Sequence, residues 1–261
     1  MCLVTFMKDV HPDYPLILVA NRDELYDRPA AAIHRWLDEP KVTAGIDLKE
    51  RGTWLGFTNE GKFISILNYP FTDWKPSLEI PRSRGKLLRD YLTKDFTIEE
   101  FSLYLRKNRK HYNGYHLLYG TFEDLRYYTN VDDVFHTFSS GIHCLANTKD
   151  DLSNHRKDRS QELLAQYVNS TTGELKLEEL TALMSDDLVS ESLSDIPKEI
   201  DLEMAKQNSS IFIHGDEFGT VGTTVILIDK KGSLSVREVK YDQKGITEVT
   251  EKEQSIHFER D

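Results

Sequence analysis

The stretch MCLVTFMKDVHPDYPLILVANRDE, residues 1–24, decides how this chain begins to fold. Residues 2–6 and 16–20 are short apolar runs rich in β-branched side chains, and the segment between them carries Pro12, Asp13 and Pro15. Such runs punctuated by turn formers read as neighbouring antiparallel strands. Asn21-Arg22-Asp23-Glu24 closes the second run. Four consecutive polar groups at the end of an apolar strand either form a turn or face a cleft.

Working outward, residues 53–58 and 62–67 have the same strand character and extend the meander. Between residues 83 and 109 the period changes. Leu87, Leu88, Tyr91 and Leu92, then Ile98, Phe101, Tyr104 and Leu105, fall at helical spacing. Thr97 ahead of Glu99 and Glu100 reads as the second helix's N-cap. Strands are expected again at 115–120, 125–129 and 141–146, helices near 155–168 and 174–185, and strands at 210–213, 223–229 and 234–241. Residues 229–232, DKKG, read as a hairpin turn, and the acidic stretch 185–203 as a mobile surface excursion. Without βαβ alternation this order predicts an α+β fold with antiparallel sheets, in one domain spanning residues 1–261.

Composition narrows the function classes. A net charge of -11 over 261 residues disfavours nucleic acid and anionic lipid. No apolar run approaches the length of a membrane span, and the first residues lack the layout of a secretory signal, so no membrane insertion is expected. Two cysteines are too few for a disulfide framework, and a cytoplasmic location follows as the expectation. Nine histidines form no H-E-x-x-H pattern, and no paired C-x-x-C occurs, so neither a metal nor another cofactor is expected.

The chemistry-bearing candidate is Cys2. Removal of Met1 would leave a cysteine whose own α-amino group can act as general base, since thiol and amine titrate in neighbouring ranges. Position alone fits an apolar residue at the start of a buried strand better. Arg22 nearby favours thiolate and a lowered pH midpoint, while Asp23 and Glu24 can orient cationic groups.

MCLVTF, LVANRDE, Asp27-Arg28-Pro29, Gly52-Thr53-Trp54-Leu55-Gly56, Ser83-Arg84-Gly85 and Gly219-Thr220 together resemble the NRDE, or Transport and Golgi organisation, family, over most of the chain. A looser resemblance reaches the cysteine N-terminal-nucleophile acylases, such as conjugated bile acid hydrolases and penicillin V acylases. Cys2 matches their nucleophile, Leu67-Asn68-Tyr69-Pro70 their Leu-Asn-aromatic-Pro stretch, and Leu145-Ala146-Asn147 their later asparagine. Arg22 with Asp23 or Glu24 matches their Arg-x-x-Asp turn in shifted register.

These resemblances imply a four-layer αββα sandwich of two antiparallel sheets and an amide or acyl-transfer hydrolase. The implied catalytic residues are Cys2, Arg22, Asp23, Asn68 and Asn147, with Asn68 as oxyanion donor. Asn21, Glu24, Trp54 and Tyr69 are the implied substrate contacts. The partner would be a small molecule bearing an amide or acyl group. Val221 stands where the resemblance leads one to expect an arginine after Gly219-Thr220. The competing expectation is a non-catalytic binder of haem, acyl-CoA or lipid using the same cleft.

Overall fold

Alternating apolar positions along the first 25 residues form two strands, β1 (Cys2–Lys8) and β2 (Leu16–Leu25), joined by a loop that Asp9 N–H closes onto the Pro15 carbonyl at 2.8 Å. The computed structural model describes residues 2–69, 74–148, 154–191 and 202–256. Strands β3 (Ala30–Arg35), β4 (Val42–Asp47), β5 (Leu55–Thr58) and β6 (Lys62–Asn68) follow, then helices α1 (Arg84–Thr93) and α2 (Ile98–Asn108). After a 3-10 turn come β7 (Tyr115–Thr121), β8 (Leu125–Thr129), β9 (Val134–Thr137) and β10 (Gly141–Ala146). The chain continues through α3 (His155–Ser170), α4 (Leu177–Leu183) and α5 (Leu202–Gln207) to β11 (Phe218–Ile228), β12 (Ser233–Asp242) and β13 (Gly245–Ser255).

Two compact units result: Met1–Asp27 with Ser140–Glu253, and Arg28–Ser139 with Gln254–Asp261. The first holds a six-stranded sheet in the order β10-β1-β2-β11-β12-β13. Its helices α3 and α4 cover one face, where Leu164, Val168 and Leu180 pack against Leu3, Ile17, Val19 and Val225. The second unit holds a seven-stranded sheet in sequential order from β3 to β9. There Leu88, Tyr91 and Leu92 of α1 and Phe101 and Leu105 of α2 share a core with Ile64, Tyr115 and Tyr119. Each helix buries one stripe and leaves the rest to solvent, as its spacing requires. The α+β reading with two antiparallel sheets holds, and β1, carrying Cys2, is an interior strand of its sheet. No helix among the described residues is long and apolar enough to cross a membrane.

The structure also departs from the sequence reading. Asn21-Arg22-Asp23-Glu24 does not leave the sheet: β2 runs on to Leu25, paired with β1 as far as Arg22 and with β11 throughout. Residues 210–213 are not a strand. Ser210 Oγ donates to the Phe212 carbonyl, and Ile213 N–H donates to Thr220 Oγ1, so hydroxyls take the place of a ladder. β11 starts at Phe218, earlier than expected, while β3, β4, β9 and β13 had no expected counterpart. Thr97 caps α2 through a capping box with Glu100, as read. Asp229–Gly232 turns between β11 and β12, with Gly232 at φ 81. Pro70 and residues 192–201 of the acidic stretch lie outside the described residues.

Candidate active site

The site is built where β1 begins. Cys2 lies opposite Arg22 in the β1–β2 pairing, and Leu3 pairs on its other side with Ala146, the residue before Asn147. The Cys2 main-chain N–H donates to Asn147 Oδ1. Arg22 and Asp23 act on the Cys2 thiol through their charges. One end of β1 thus brings Cys2, Arg22, Asp23 and Asn147 together, although Cys2 and Asn147 are far apart in sequence.

Period-two alternation sorts the polar run onto two faces. Asn21 and Asp23 are buried on the helix-covered side, whereas Arg22 and Glu24 alternate with them and keep partial exposure. Asn21 is held on all sides: its Nδ2 donates to the carbonyls of Met184 at 2.9 Å and Ile211 at 3.0 Å, and Thr223 donates to its Oδ1 at 2.7 Å. Glu24 lies 3.9 Å from Arg22 in a loose ion pair.

Asp23 is the most completely engaged group. Thr220 Oγ1 donates to its Oδ1 and Arg156 Nη2 to its Oδ2, each at 2.8 Å, and Arg156 also donates to the Ile211 carbonyl at 3.0 Å. Both partners of the ion pair are almost wholly removed from solvent, with 6% exposure for the Arg156 side chain and 0% for Asp23. Arg156 comes from the first turn of α3, whose N-cap Asn154 accepts from Lys157 N–H at 3.0 Å. A helix start already carries partial positive charge, so a cation there favours a carboxylate partner.

Sequence reasoning missed Arg156 and saw Thr220 only as part of a motif. The available signal was a cation in the first turn of a helix, where anions are the norm. Val221 is the extra residue of a β-bulge: Thr220 pairs with Asp23 and Gly222 with Arg22. The positive charge beside Asp23 therefore comes from α3 and not from position 221.

Burial pushes the Cys2 thiol up from its ordinary value, and the Asp23 carboxylate adds to that push. The positive amino terminus and the Arg22 guanidinium pull the other way without prevailing. In the chain that keeps its first residue, desolvation of the thiolate outweighs one neighbouring guanidinium. Cys144 on β10 is buried beside Thr5, whose hydroxyl donates to its sulfur at 3.0 Å, and its thiol is likewise pushed up by burial.

The remaining candidates belong to the second unit. Asn68 ends β6 opposite Tyr115. Tyr69 donates its N–H to the Gly114 carbonyl at 3.0 Å and stacks on His116 with ring centroids 4.6 Å apart. Trp54 covers Gly45 so closely that a Cβ there would lie 2.4 Å from the indole.

A family model described as Transport and Golgi organisation 2 matches residues 1–243. The Transport and Golgi organization protein 2 homolog of Homo sapiens is 29% identical over 265 residues, covering 91% of this chain and 92% of that protein. The Bos taurus homolog is 27% identical over 258 residues, with the same two coverages of 91% and 92%. Among solved structures, a mutant conjugated bile acid hydrolase from Clostridium perfringens superposes with a TM-score of 0.50 at 10% identity, covering 100% of this chain and 99% of that one. At that identity the likeness shows the fold, which is that of the N-terminal-nucleophile hydrolases.

Proposed function

The chain belongs to the Transport and Golgi organisation 2 family, and from that premise we propose that it is an N-terminal-nucleophile hydrolase using Cys2, exposed by removal of Met1. The substrate class is a small molecule with an amide or acyl bond. One observation carries this reading: the Cys2 nitrogen is held by Asn147 Oδ1 from a distant part of the chain, with Arg22 directly across the strand pair. That is what a residue needs if its own amine is to take the proton from its own thiol. The sulfur then attacks the carbonyl, the leaving amine takes the proton, and water resolves the thioester. The two free thiols support a cytoplasmic setting.

The test is intact-mass analysis of protein from a native-like host, followed by a panel of amides and thioesters. The expected results are loss of Met1, an acyl adduct on the Cys2 peptide, reduced turnover in Cys2→Ser and none in Cys2→Ala. Unchanged hydrolysis in Cys2→Ala overturns the reading. The second reading, non-catalytic binding of haem, acyl-CoA or lipid, draws on the rings of the second unit. Tyr69 and His136, both partly exposed, stack on the buried rings of His116 and Tyr127 with centroids 4.6 and 4.5 Å apart, so each offers one aromatic face or edge to a flat or apolar ligand. Under that reading Cys2→Ala leaves any measured hydrolysis unchanged.

A further inference from the structure

We propose that the loop formed by residues 74–82, with Arg109 and Lys110 beside it, is a docking surface for an anionic lipid bilayer. The loop reads WKPSLEIPR and lies between β6 and α1, within the second unit. Ile80 is 84% exposed and Leu78 36%, while Trp74 keeps partial exposure. A lone aliphatic side chain in water needs no explanation. Here two stand one residue apart, on the same loop as a partly exposed indole and amid cations, and an apolar patch rimmed by polar groups marks an interaction surface.

The cations are brought to this loop by contacts. The Trp74 ring lies under the Arg109 guanidinium at 5.2 Å and the Lys110 ammonium at 5.9 Å. Ser77 N–H donates to the Lys110 carbonyl at 2.7 Å, Arg82 N–H to the His111 carbonyl at 2.8 Å, and Trp74 Nε1 to the Tyr112 carbonyl at 3.0 Å. These bonds run residues 74–82 alongside residues 109–112, so the exposed Lys75, Arg82 and Lys110 belong to one surface. Glu79 is the single acid in residues 74–82, and residues 106–111, RKNRKH, contain none. Arg109 also pairs with Asp133 at 3.3 Å, so the attraction is assigned to the other three cations.

The chain's net charge of -11 is thus reversed locally. At physiological salt the Debye length is about 8 Å, so acids more distant than that are largely screened from whatever touches this loop. Charge alone suits any polyanion. The aliphatic residues decide for a bilayer: a phosphate backbone or a free phosphate offers nothing to cover Leu78 and Ile80. The boundary between headgroups and acyl chains takes aliphatic side chains, an indole and lysines in one patch. Pro76 and Pro81 restrict the loop's backbone, so less order has to be gained on docking. The protein rests on the bilayer without crossing it, and the inference is independent of Cys2 and its chemistry.

The test is co-sedimentation of the full-length protein with vesicles of phosphatidylcholine alone, and with vesicles of three parts phosphatidylcholine to one part phosphatidylserine. Binding is expected to the mixed vesicles only, and to weaken as salt is raised. Lys75→Gln/Lys110→Gln is expected to weaken it about twentyfold, since each lysine near an anionic surface contributes about fivefold. Ile80→Ser is expected to weaken it about tenfold by removing aliphatic surface from the boundary, with the melting temperature unchanged because the side chain is exposed. Equal binding to both kinds of vesicle, or binding to neither, overturns the proposal. Loss in the lysine variant with wild-type affinity in Ile80→Ser overturns it as well, leaving a surface that reads charge alone, as for nucleic acid or an acidic peptide.

Discussion

Cys2 and Cys144 both have thiols raised by burial, but Cys2 keeps partial exposure whereas Cys144 is buried. Cys144 is tied to the neutral hydroxyls of Thr5 and Ser160. Cys2 should accordingly react with iodoacetamide faster than Cys144 under native conditions, and peptide-resolved mass spectrometry reads that order directly. The raised thiols also give a sign for the pH dependence of stability. A group whose folded pKa exceeds its unfolded value contributes stability that is complete below the unfolded pKa and is lost as pH rises through the folded one. For a thiol that loss starts near pH ~8.5, below the range where tyrosines ionise. Cys144→Ala should therefore flatten the decline in urea midpoint between about pH 8.5 and 10, relative to wild type. An unchanged slope would mean that Cys144 keeps its ordinary proton affinity. Asp23 and Arg156 define the opposite extreme. Truncating one partner leaves the other buried without its charge, so Asp23→Ala should cost about 3–5 kcal/mol, measured by chemical denaturation.

The motif glycines act through packing. Gly52 precedes β5 and Gly85 lies in the first turn of α1, and a Cβ on Gly52 would collide with the Gly85 carbonyl carbon. Thr53 N–H donates to the Gly85 carbonyl at 3.2 Å across the same approach. Two of the family stretches are thus one backbone crossing that fixes where α1 meets its sheet. Gly52→Ala should cost at least ~1–3 kcal/mol by overpacking, and Thr97→Ala about 1 kcal/mol by loss of the α2 cap. A Gly52→Ala protein with an unchanged denaturation midpoint would mean that the crossing yields freely. These elements also show what the sequence makes legible. α1 and α2 are readable because their apolar spacing and cap are local. β13, reading GITEVTEKEQS, is not, because an edge strand that is mostly exposed carries charge where an interior strand carries an apolar period. β3 and β4 are rich in alanine and glycine and owe their strand state to paired neighbours. For the site, Cys2 and Arg22 share a hairpin and can be placed side by side locally. Asn147 joins them only by resemblance, and Arg156 is visible only once α3 is docked, because contact across more than a hundred residues leaves no local pattern.

The first compact unit is assembled from two stretches of chain, Met1–Asp27 and Ser140–Glu253, with the whole Arg28–Ser139 segment inserted between them. Its sheet therefore closes through long-range pairs: Leu3 with Ala146 between β1 and β10, and Leu16 with Ile228 between β2 and β11. Every strand of the other sheet pairs with the next one in sequence, and its helices α1 and α2 lie within the same stretch. Closing a long loop costs entropy before the contacts it permits are made, so folding slows as sequence separation grows. The inserted segment should fold first, and the β10-β1-β2-β11 centre afterwards. Cys2 and Cys144 report on that second step because they sit on adjacent strands, β1 and β10, in the same unit. In a pulse-alkylation refolding experiment both cysteines should lose reactivity at one rate, slower than the helical circular dichroism signal appears. Protection of Cys144 well before Cys2 would mean that β10 and α3 form a stable piece without β1. Protection of both at the rate of the earliest signal would mean that the long-range pairing is not the slow step. The expected order has a chemical consequence: Cys2 acquires its partner Asn147 only when β10 has closed against β1.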